Sequence, residues 1–190
     1  MLSIRDARPS DAPFLAMIVM AGMHFYDFET EIPEDGAMFG RLTESEGSPG
    51  WLDSYEHCRI AELDGTAVGA IQSFPGDAYR ELRRKSFQAH WPQYMQMEAE
   101  SDQEADPGEY FIDSLAVIPA CRRQGIGRAL LMDAIRKGAA LGYRQVSITV
   151  DSDMPQLIRY YASIGFVPAD HRSTFGVDFL RMLYPIANPL

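Results

Sequence analysis

The sequence has few of the residues that build disulfide frameworks and metal sites. Its 190 residues include two cysteines, Cys58 and Cys121, which lie far apart and form no CxxC pair. The four histidines show no HxxxH-type spacing, which would place two ligands on one face of a helix. We therefore expect neither a disulfide framework nor a metal site.

Positive charge is also scarce. Lys and Arg total 17 against 27 for Asp and Glu, which gives a formal net charge of −10. This balance argues against a nucleic-acid partner, because nucleic acid is bound by basic surfaces. An acidic surface is compatible with a cationic or amine ligand, but it more often reflects solubility alone.

No hydrophobic run is long enough to cross a membrane. The apolar stretch 14–23 has ten residues, whereas a spanning helix needs about 20. Asp6 and Asp11 interrupt the basic residues before it, and bulky residues at 24–26 stand where a signal peptide has small ones. We interpret the stretch as a buried helix and expect a cytoplasmic protein without a membrane partner.

The remaining composition is that of an ordinary globular domain. Hydrophobic residues make up 46% and charged residues 23% of a chain long enough for one domain with its own core. Periodicity and turn signals predict strands at 2–7, 55–63, 66–74, 110–117, 145–150, from 166 and at 178–184. They predict helices at 37–43, 126–141 and 155–164, and one that follows the turn and N-cap signal of residues 9–11 and runs to about residue 24. This order indicates a mixed α/β (α+β) fold with an antiparallel N-terminal part.

Residues 75–108 separate the predicted hairpin from the strand at 110–117. The pattern predicts helical pieces followed by a solvated acidic end that contains Glu104 and Asp106. A lid over a substrate site is the alternative that the sequence leaves open.

The most informative stretch runs from Tyr110 to Leu141. Residues 111, 113, 115 and 117 share one face of a strand, and Pro119 stops the strand because proline cannot donate to a ladder. Gly125 and Gly127 follow in a tight turn, and a helix begins on top of them. Its buried face is predicted from residues spaced at helical intervals: Ile126, Leu130, Leu131, Ala134 and Ile135.

The turn between this strand and this helix suits an anion. The first N–H groups of a helix have no partner inside it, and the helix dipole favours negative charge there. Gly125 and Gly127 let backbone approach a ligand, and Arg122, Arg123 and Arg128 add positive charge. We therefore predict a phosphate or pyrophosphate site.

Three phosphate motifs can be compared with this turn. A P-loop requires GxxxxGK(S/T), which the chain lacks, and a dinucleotide fingerprint requires a third glycine where Leu130 stands. The pattern Arg/Gln-x-x-Gly-x-Gly/Ala is matched in full by residues 122–127. The alternative is a tight turn with surface arginines and no ligand.

This motif, preceded by Leu-Ala-Val-Ile-Pro at 115–119, resembles the coenzyme A loop of the GNAT family of N-acetyltransferases. The resemblance implies a mainly antiparallel central sheet flanked by helices, a single N-acetyltransferase domain over 1–190 with an inserted segment at about 75–108, and acetyl-CoA as acyl donor. It also implies these cofactor-binding residues: Leu115, Ala116, Val117, Arg122, Arg123, Gln124, Gly125, Ile126, Gly127 and Arg128.

The resemblance further implies two catalytic residues. Asp113 matches one position of the family's acidic base, although the family more often has Glu and Asp could act through water. Residues 160–166 resemble the family's LYxxxGF motif, which makes Tyr161 the candidate proton donor to the leaving thiolate. The alternatives are an aspartate paired with a nearby arginine and a tyrosine of the core. Tyr160 is predicted to pack, and Met154 replaces the family's frequent cofactor-contacting Asn.

The function that follows is acetyl transfer from acetyl-CoA to an amine of a small molecule or peptide, directly in a ternary complex. The alternative from another class is a non-catalytic acyl-CoA-binding sensor or regulatory module of the same fold; another acyl-CoA or an alcohol acceptor also stays open. By the resemblance, the acceptor site involves residues 24–31 and 87–94. The sequence also leaves a homodimer open.

Overall fold

The computed structural model describes residues 1–28, 36–92, 103–174 and 176–187. Within them lie seven strands: β1 (Leu2–Asp6), β2 (Cys58–Leu63), β3 (Thr66–Pro75), β4 (Tyr110–Val117), β5 (Gln145–Asp151), β6 (Val167–Thr174) and β7 (Val177–Pro185). The helices of the same residues are α1 (Ala12–Gly22), α2 (Ala37–Glu46), α3 (Tyr79–His90), α4 (Ile126–Ala140) and α5 (Pro155–Ile164).

The seven strands form one sheet in the order β1-β2-β3-β4-β5-β7-β6. β1–β2, β2–β3, β5–β7 and β6–β7 pair antiparallel, and β4 pairs parallel with β5. The predicted mixed fold with a mainly antiparallel sheet flanked by helices is therefore confirmed. The parallel pair is the one that a helical crossover, α4, connects, as a parallel arrangement requires.

The hairpin of β2 and β3 follows from its turn chemistry. Leu63 pairs with Thr66, and the two residues between them, Asp64 and Gly65, have φ of 52° and 83°. Two left-handed residues match the twist of the flanking strands, which is why an Asp-Gly pair favours such a turn. The predicted hairpin is confirmed.

Several helix ends differ from the prediction. A 3-10 turn, Pro9–Asp11, precedes α1, which ends at Gly22 rather than His24. α2 continues to Glu46, three residues beyond its predicted end. The predicted helical part of the 75–108 segment is α3, whereas residues 93–102 lie outside the described part of the chain.

The chain divides into two compact units, and β4 contributes to both. Unit 1 contains residues 1–73 and 114–134, and its apolar core includes Leu15, Ile18, Cys58, Ile60 and Ala70. Arg59 Nε of β2 binds the Asp133 carboxylate of α4 at 2.8 Å. This ion pair and the core fix the first half of α4 within unit 1.

Unit 2 contains residues 74–113 and 135–190. Phe74, Tyr79 and Phe111 form an aromatic cluster with ring centroids 5.7–6.3 Å apart. Aromatic pairs at such separations add stability beyond the area that they bury. The second half of α4 also packs in this unit, where Gly138 faces the fully buried Tyr110.

We predict that Gly138→Ala lowers the free energy of unfolding although alanine is the better helix former. A Cβ at position 138 would lie 2.9 Å from the Tyr110 Cβ, a contact that a buried ring cannot easily relieve. Overpacking of this kind costs about 1–3 kcal/mol, more than the roughly 1 kcal/mol gained in helix propensity.

Gly40→Ala is the matched control, because Gly40 also lies within a helix but nothing is found within 4 Å of its Cβ position. Urea unfolding should show Gly40→Ala more stable than the parent and Gly138→Ala less stable. Equal stabilisation by both substitutions would contradict the packing of α4 on Tyr110.

Candidate functional site

In unit 1, β4 leads through a short loop into α4. β4 ends at Val117, and the Ile118 N–H donates to the Val68 carbonyl at 2.9 Å before the 3-10 turn Pro119–Cys121. α4 begins at Ile126, so Gly127 lies in the first helical turn. The stop at Pro119 is confirmed.

Two loop residues adopt left-handed backbone conformations. Arg123 has φ of 60° and Gly125 has φ of 81°. Turns of this type direct successive N–H groups toward one side, where they can surround an anion. Nothing lies within 4 Å of the Cβ position of Gly125, so this part of the loop is open.

The first turn of α4 continues this run of donors. The Ala129 N–H donates to the Gly125 carbonyl at 2.9 Å, which makes Gly125 the acceptor of an i to i−4 bond at the helix start. The N–H groups of residues 126–128 precede that bond and have no carbonyl partner within the helix. The buried face of α4 consists of residues that are at most 5% exposed: Ile126, Leu130, Leu131, Ala134 and Ile135. This predicted buried face is confirmed.

The three arginines of the loop differ in their contacts, although all are exposed. Arg122 Nε donates to the Val117 carbonyl at 2.9 Å, and its guanidinium lies 6.0 Å from the centre of the Phe28 ring. Arg122 therefore ties the loop to the end of β4. Arg123 and Arg128 belong to the same stretch and are exposed.

Two glycines allow the second half of β4 to pack closely. A Cβ at Gly69 of β3 would lie 2.9 Å from the Ala116 carbonyl oxygen and 3.0 Å from Val117 Cγ2. A Cβ at Gly22 of α1 would lie 3.2 Å from both Cβ and Oγ of Ser114. These approaches fix the backbone of residues 114–117 in unit 1.

In unit 2, Asp113 of β4 belongs to a group of polar side chains. Desolvation and, second, the Asp113 carboxylate raise the pKa of Glu104 to about 7, whereas Arg83 acts in the opposite direction. Smaller effects that lower this pKa come from the hydroxyls of Thr174 and Tyr79. Glu104 and Asp113 therefore lie close enough for each charge to affect the other.

Arg83 and Tyr79 of α3 face the same group. Arg83 is 3% exposed, and its Nη1 donates to the Tyr79 hydroxyl oxygen at 2.9 Å. Desolvation and the Glu104 charge raise the pKa of Tyr79 well above its usual value, so its hydroxyl stays neutral. Tyr79 stacks on Phe74 at 6.3 Å and meets Phe111 edge-on at 5.8 Å.

Sequence reasoning missed Glu104, Arg83 and Tyr79. The predicted solvated acidic end leaves out these interactions: the charge of Asp113 acts on Glu104, and Asp106, with 36% of its side chain exposed, is ion-paired with Arg172. Glu104 and Asp106 lie far along the sequence from most of the residues with which they interact. No local pattern distinguishes a carboxylate that contacts other side chains from its solvated acidic neighbours.

Tyr161 also belongs to unit 2 and lies on α5 with 8% exposure. Its ring is 5.9 Å from Phe166 and 5.4 Å from Tyr160. Burial and, second, Tyr160 raise the pKa of the Tyr161 phenol, so the hydroxyl keeps its proton at neutral pH. Tyr160, which was predicted to pack, contacts the Tyr161 ring while 38% of the residue is exposed.

The segment after α1 contains strained and exposed residues. His24 and Phe28 have φ of 60° and 67°, and Phe25 is 63% exposed. The remaining residues of the expected acceptor region, 29–31 and 93–94, lie outside the described residues. Non-glycine residues at positive φ often mark functional loops.

Across the ranges that the structure covers, no three His, Cys, Asp or Glu side chains are grouped to hold a metal ion. Both cysteines are free. Among the same residues, no helix combines the length and the apolar character needed to span a bilayer.

Solved structures share this fold over nearly the whole chain. An N-acetyltransferase from Staphylococcus aureus aligns with a TM-score of 0.76 at 21% identity, covering 95% of this chain and 99% of that one. Another acetyltransferase aligns with a TM-score of 0.74 at 24% identity, covering 97% and 100%. The N-acetylglutamate synthase of Neisseria gonorrhoeae, in complex with coenzyme A and N-acetyl-glutamate, aligns at 0.58 and 16% identity, covering 99% of this chain and 36% of that one.

Identities this low establish the fold alone. No curated protein gives a significant match. The family model described as "Acetyltransferase (GNAT) family" matches residues 23–166, which include β4, the loop, α4 and Tyr161. The chain therefore belongs to the GNAT family of acetyltransferases.

Proposed function

We propose that the chain transfers the acetyl group of acetyl-CoA directly to an amine of a small molecule or peptide. The observation that carries this proposal is the turn at the start of α4, with left-handed Arg123 and Gly125 and a run of backbone donors. Members of the family are acetyltransferases, and coenzyme A is bound in the related structure from Neisseria gonorrhoeae.

The residues of the turn fit a pyrophosphate. Gly125 has no side chain, and the space at its Cβ position is open, so phosphate oxygens can reach the backbone N–H groups of residues 123–128. Arg123 and Arg128 are exposed beside these groups and can pair with phosphate charge. Gln124, Ile126 and Gly127 contribute backbone N–H groups rather than side chains.

The end of β4 suits the pantetheine arm. An extended ligand can pair with the main chain of a strand as an added strand would. Leu115, Ala116 and Val117 offer such groups, and the packing of Gly69 and Gly22 holds their backbone in place. Arg122 occupies one acceptor position of the Val117 carbonyl and braces the loop against the strand.

Acetyl-CoA supplies a thioester whose acetyl carbon is open to attack by a neutral amine. An alkyl amine has a pKa of about 10.4 and is mostly charged at pH 7, so it must first lose a proton. Asp113 accepts this proton, directly or through one water. Tyr161 keeps its hydroxyl proton at neutral pH and can donate it, or a hydrogen bond, to the departing sulfur.

The overall proposal is tested by thiol release from acetyl-CoA over a panel of primary amines, with the acetylated amine measured by mass spectrometry. Thiol and acetylated amine should appear in equal amounts. Tight binding of acetyl-CoA with no amine-dependent thiol release across the panel would instead favour the sensor or regulatory module.

We predict that Gly127→Asp weakens acetyl-CoA binding by at least about tenfold in calorimetry, because a carboxylate would face the phosphates in the first helical turn. Acidic residues stabilise a helix N-terminus, so the variant should fold. Gly127→Asn is the matched control, since it adds nearly the same atoms without the charge and should weaken binding less. Unchanged affinity in folded Gly127→Asp would contradict the phosphate assignment.

We predict that Tyr161→Phe lowers kcat and leaves acetyl-CoA affinity unchanged. Loss of a general acid costs about 10²–10⁴-fold in rate, and the low end applies because a thiol of pKa about 8.5 is a fair leaving group. Tyr160→Phe removes a hydroxyl one residue away on the same helix and should keep the parent kcat. Full kcat in Tyr161→Phe, with chemistry limiting turnover, would exclude the role of Tyr161.

We predict that Asp113→Asn moves the pH optimum of the reaction upward, toward the pKa of the acceptor amine. Without a base, only amine that is already neutral reacts, and its fraction grows with pH. Asp178→Asn, which changes an exposed carboxylate of β7, should leave the profile unaltered. The role of Asp113 is excluded if Asp113→Asn retains both the rate and the profile of the parent.

A further inference from the structure

The segment after α1, residues 23–28, leaves the helix in a fixed direction. The His24 N–H donates to the Ala21 carbonyl at 3.2 Å, and His24 is left-handed with φ of 60°. The Phe25 N–H donates to the Met20 carbonyl at 2.8 Å. Two such bonds around a left-handed residue form the Schellman ending of a helix. The segment is therefore anchored to the last turn of α1.

The ring of Phe28 is held by two contacts. It is half-buried against the apolar core cluster of unit 1, which includes Leu15 and Ile18. Its centre also lies 5.0 Å from the centre of the Tyr26 ring. Phe28 has φ of 67°, a conformation that costs free energy for a residue with a large side chain. The contacts with the core and with Tyr26 offset this cost and fix the place of the ring.

Phe28 in turn contacts Arg122, the first arginine of the loop between β4 and α4. The guanidinium carbon of Arg122 lies over the Phe28 ring, 6.0 Å from its centre, which is within the range of a cation–π contact. Arg122 Nε donates to the Val117 carbonyl at 2.9 Å. Neither contact uses the terminal Nη1 and Nη2 groups of the guanidinium.

These terminal groups suit a phosphate, because Nη1 and Nη2 can donate side by side to two of its oxygens. Arg122 is exposed and directly precedes the backbone N–H groups of residues 123–128, which we assign to the pyrophosphate. An unrestrained arginine loses side-chain freedom when it binds a ligand, and this loss weakens the affinity. An arginine that is already held by a ring and a carbonyl loses less.

We propose that Phe28 is a positioning residue for the coenzyme: its ring holds the Arg122 guanidinium where Nη1 and Nη2 can bind a phosphate of acetyl-CoA. Phe28, Arg122 and Val117 all belong to unit 1. This role rests on the proposed function. It gives the segment after α1 a part in coenzyme binding, whereas the resemblance implied a part in the acceptor site alone.

The first test is calorimetry with coenzyme A. Phe28→Leu keeps an apolar side chain on the core but removes the aromatic face, so it should weaken binding by about two- to fivefold, the effect of an exposed cation–π contact. Phe28→Tyr keeps the ring and should bind like the parent. If urea unfolding shows that Phe28→Leu does not fold, Phe28→Met carries the same prediction, since methionine adapts to irregular space. Unchanged affinity in the folded variant would overturn the role of Phe28.

Phe14→Leu is the matched control. Phe14 of α1 is also half-buried against the core cluster of unit 1. Its substitution should leave the affinity for coenzyme A unaltered. An equal weakening in Phe14→Leu would assign the effect to the packing of the core and not to the contact with Arg122.

A double-mutant cycle tests whether Phe28 acts through Arg122. Arg122→Gln removes the guanidinium and should itself weaken binding of coenzyme A. In this background Phe28→Leu should cause no further loss, because the group that the ring holds is gone. Losses that multiply, as those of independent sites do, would overturn the proposal.

A shorter probe shows which part of the coenzyme is involved. Adenosine 3′-phosphate 5′-diphosphate carries the phosphates but lacks the pantetheine arm. Phe28→Leu should weaken its binding by the same factor as that of coenzyme A. A loss confined to coenzyme A would place the effect at the pantetheine arm, and tighter binding would mean that the ring competes with phosphate for Arg122. Either result would overturn the positioning role.

Failure of this role can be told from failure of the proposed function. If the parent protein binds coenzyme A and Phe28→Leu binds it equally well, only the role of Phe28 fails. If the parent binds neither probe, the proposed coenzyme site fails, and the role of Phe28 fails with it. The proposal requires binding by the parent, a loss in Phe28→Leu, and no such loss in Phe14→Leu or in Phe28→Tyr.

Discussion

The backbone donors at the start of α4 are the constraint on which the rest of the arrangement depends. Helical N–H groups in a first turn have no partner within the helix, so an anion or water must satisfy them. Gly125 supplies the left-handed conformation that precedes them, and Ile126 and Leu130 bury the helix face that fixes their direction. The Arg59–Asp133 ion pair ties α4 to β2, and the hydrogen bond from Arg122 to the Val117 carbonyl ties the loop to the end of β4.

β4 offers two kinds of chemical group along a single strand. Its residues 115–117 offer main-chain groups, which need no particular side chain but require close packing at Gly69 and Gly22. Asp113, two residues earlier, acts through its charge on Glu104 of the segment before β4 and on Tyr79 of α3. A strand suits both tasks, because its backbone geometry fixes every residue relative to its neighbours.

The parts of the site that the sequence predicted are those coded by short-range patterns. Pro119, Gly125 and the apolar spacing of α4 act through their own backbone, so the strand, the loop and the helix could be found within 30 residues. Glu104 could not be found in this way, since its environment comes from α3 and β6 and not from its flanking sequence. The same limit applies to the adjacent tyrosines of α5. The local sequence does not tell the buried Tyr161 from the partly exposed Tyr160.

The most direct test of the central claim is the response of backbone amides to coenzyme A. In a nitrogen-15 NMR titration, the account predicts the largest amide shift changes at residues 123–128, and similar changes with adenosine 3′-phosphate 5′-diphosphate, which lacks the pantetheine arm. Residues 115–117 should respond only to ligands that include the pantetheine arm. Saturable binding of coenzyme A that leaves the amides of 123–128 unshifted would contradict the account.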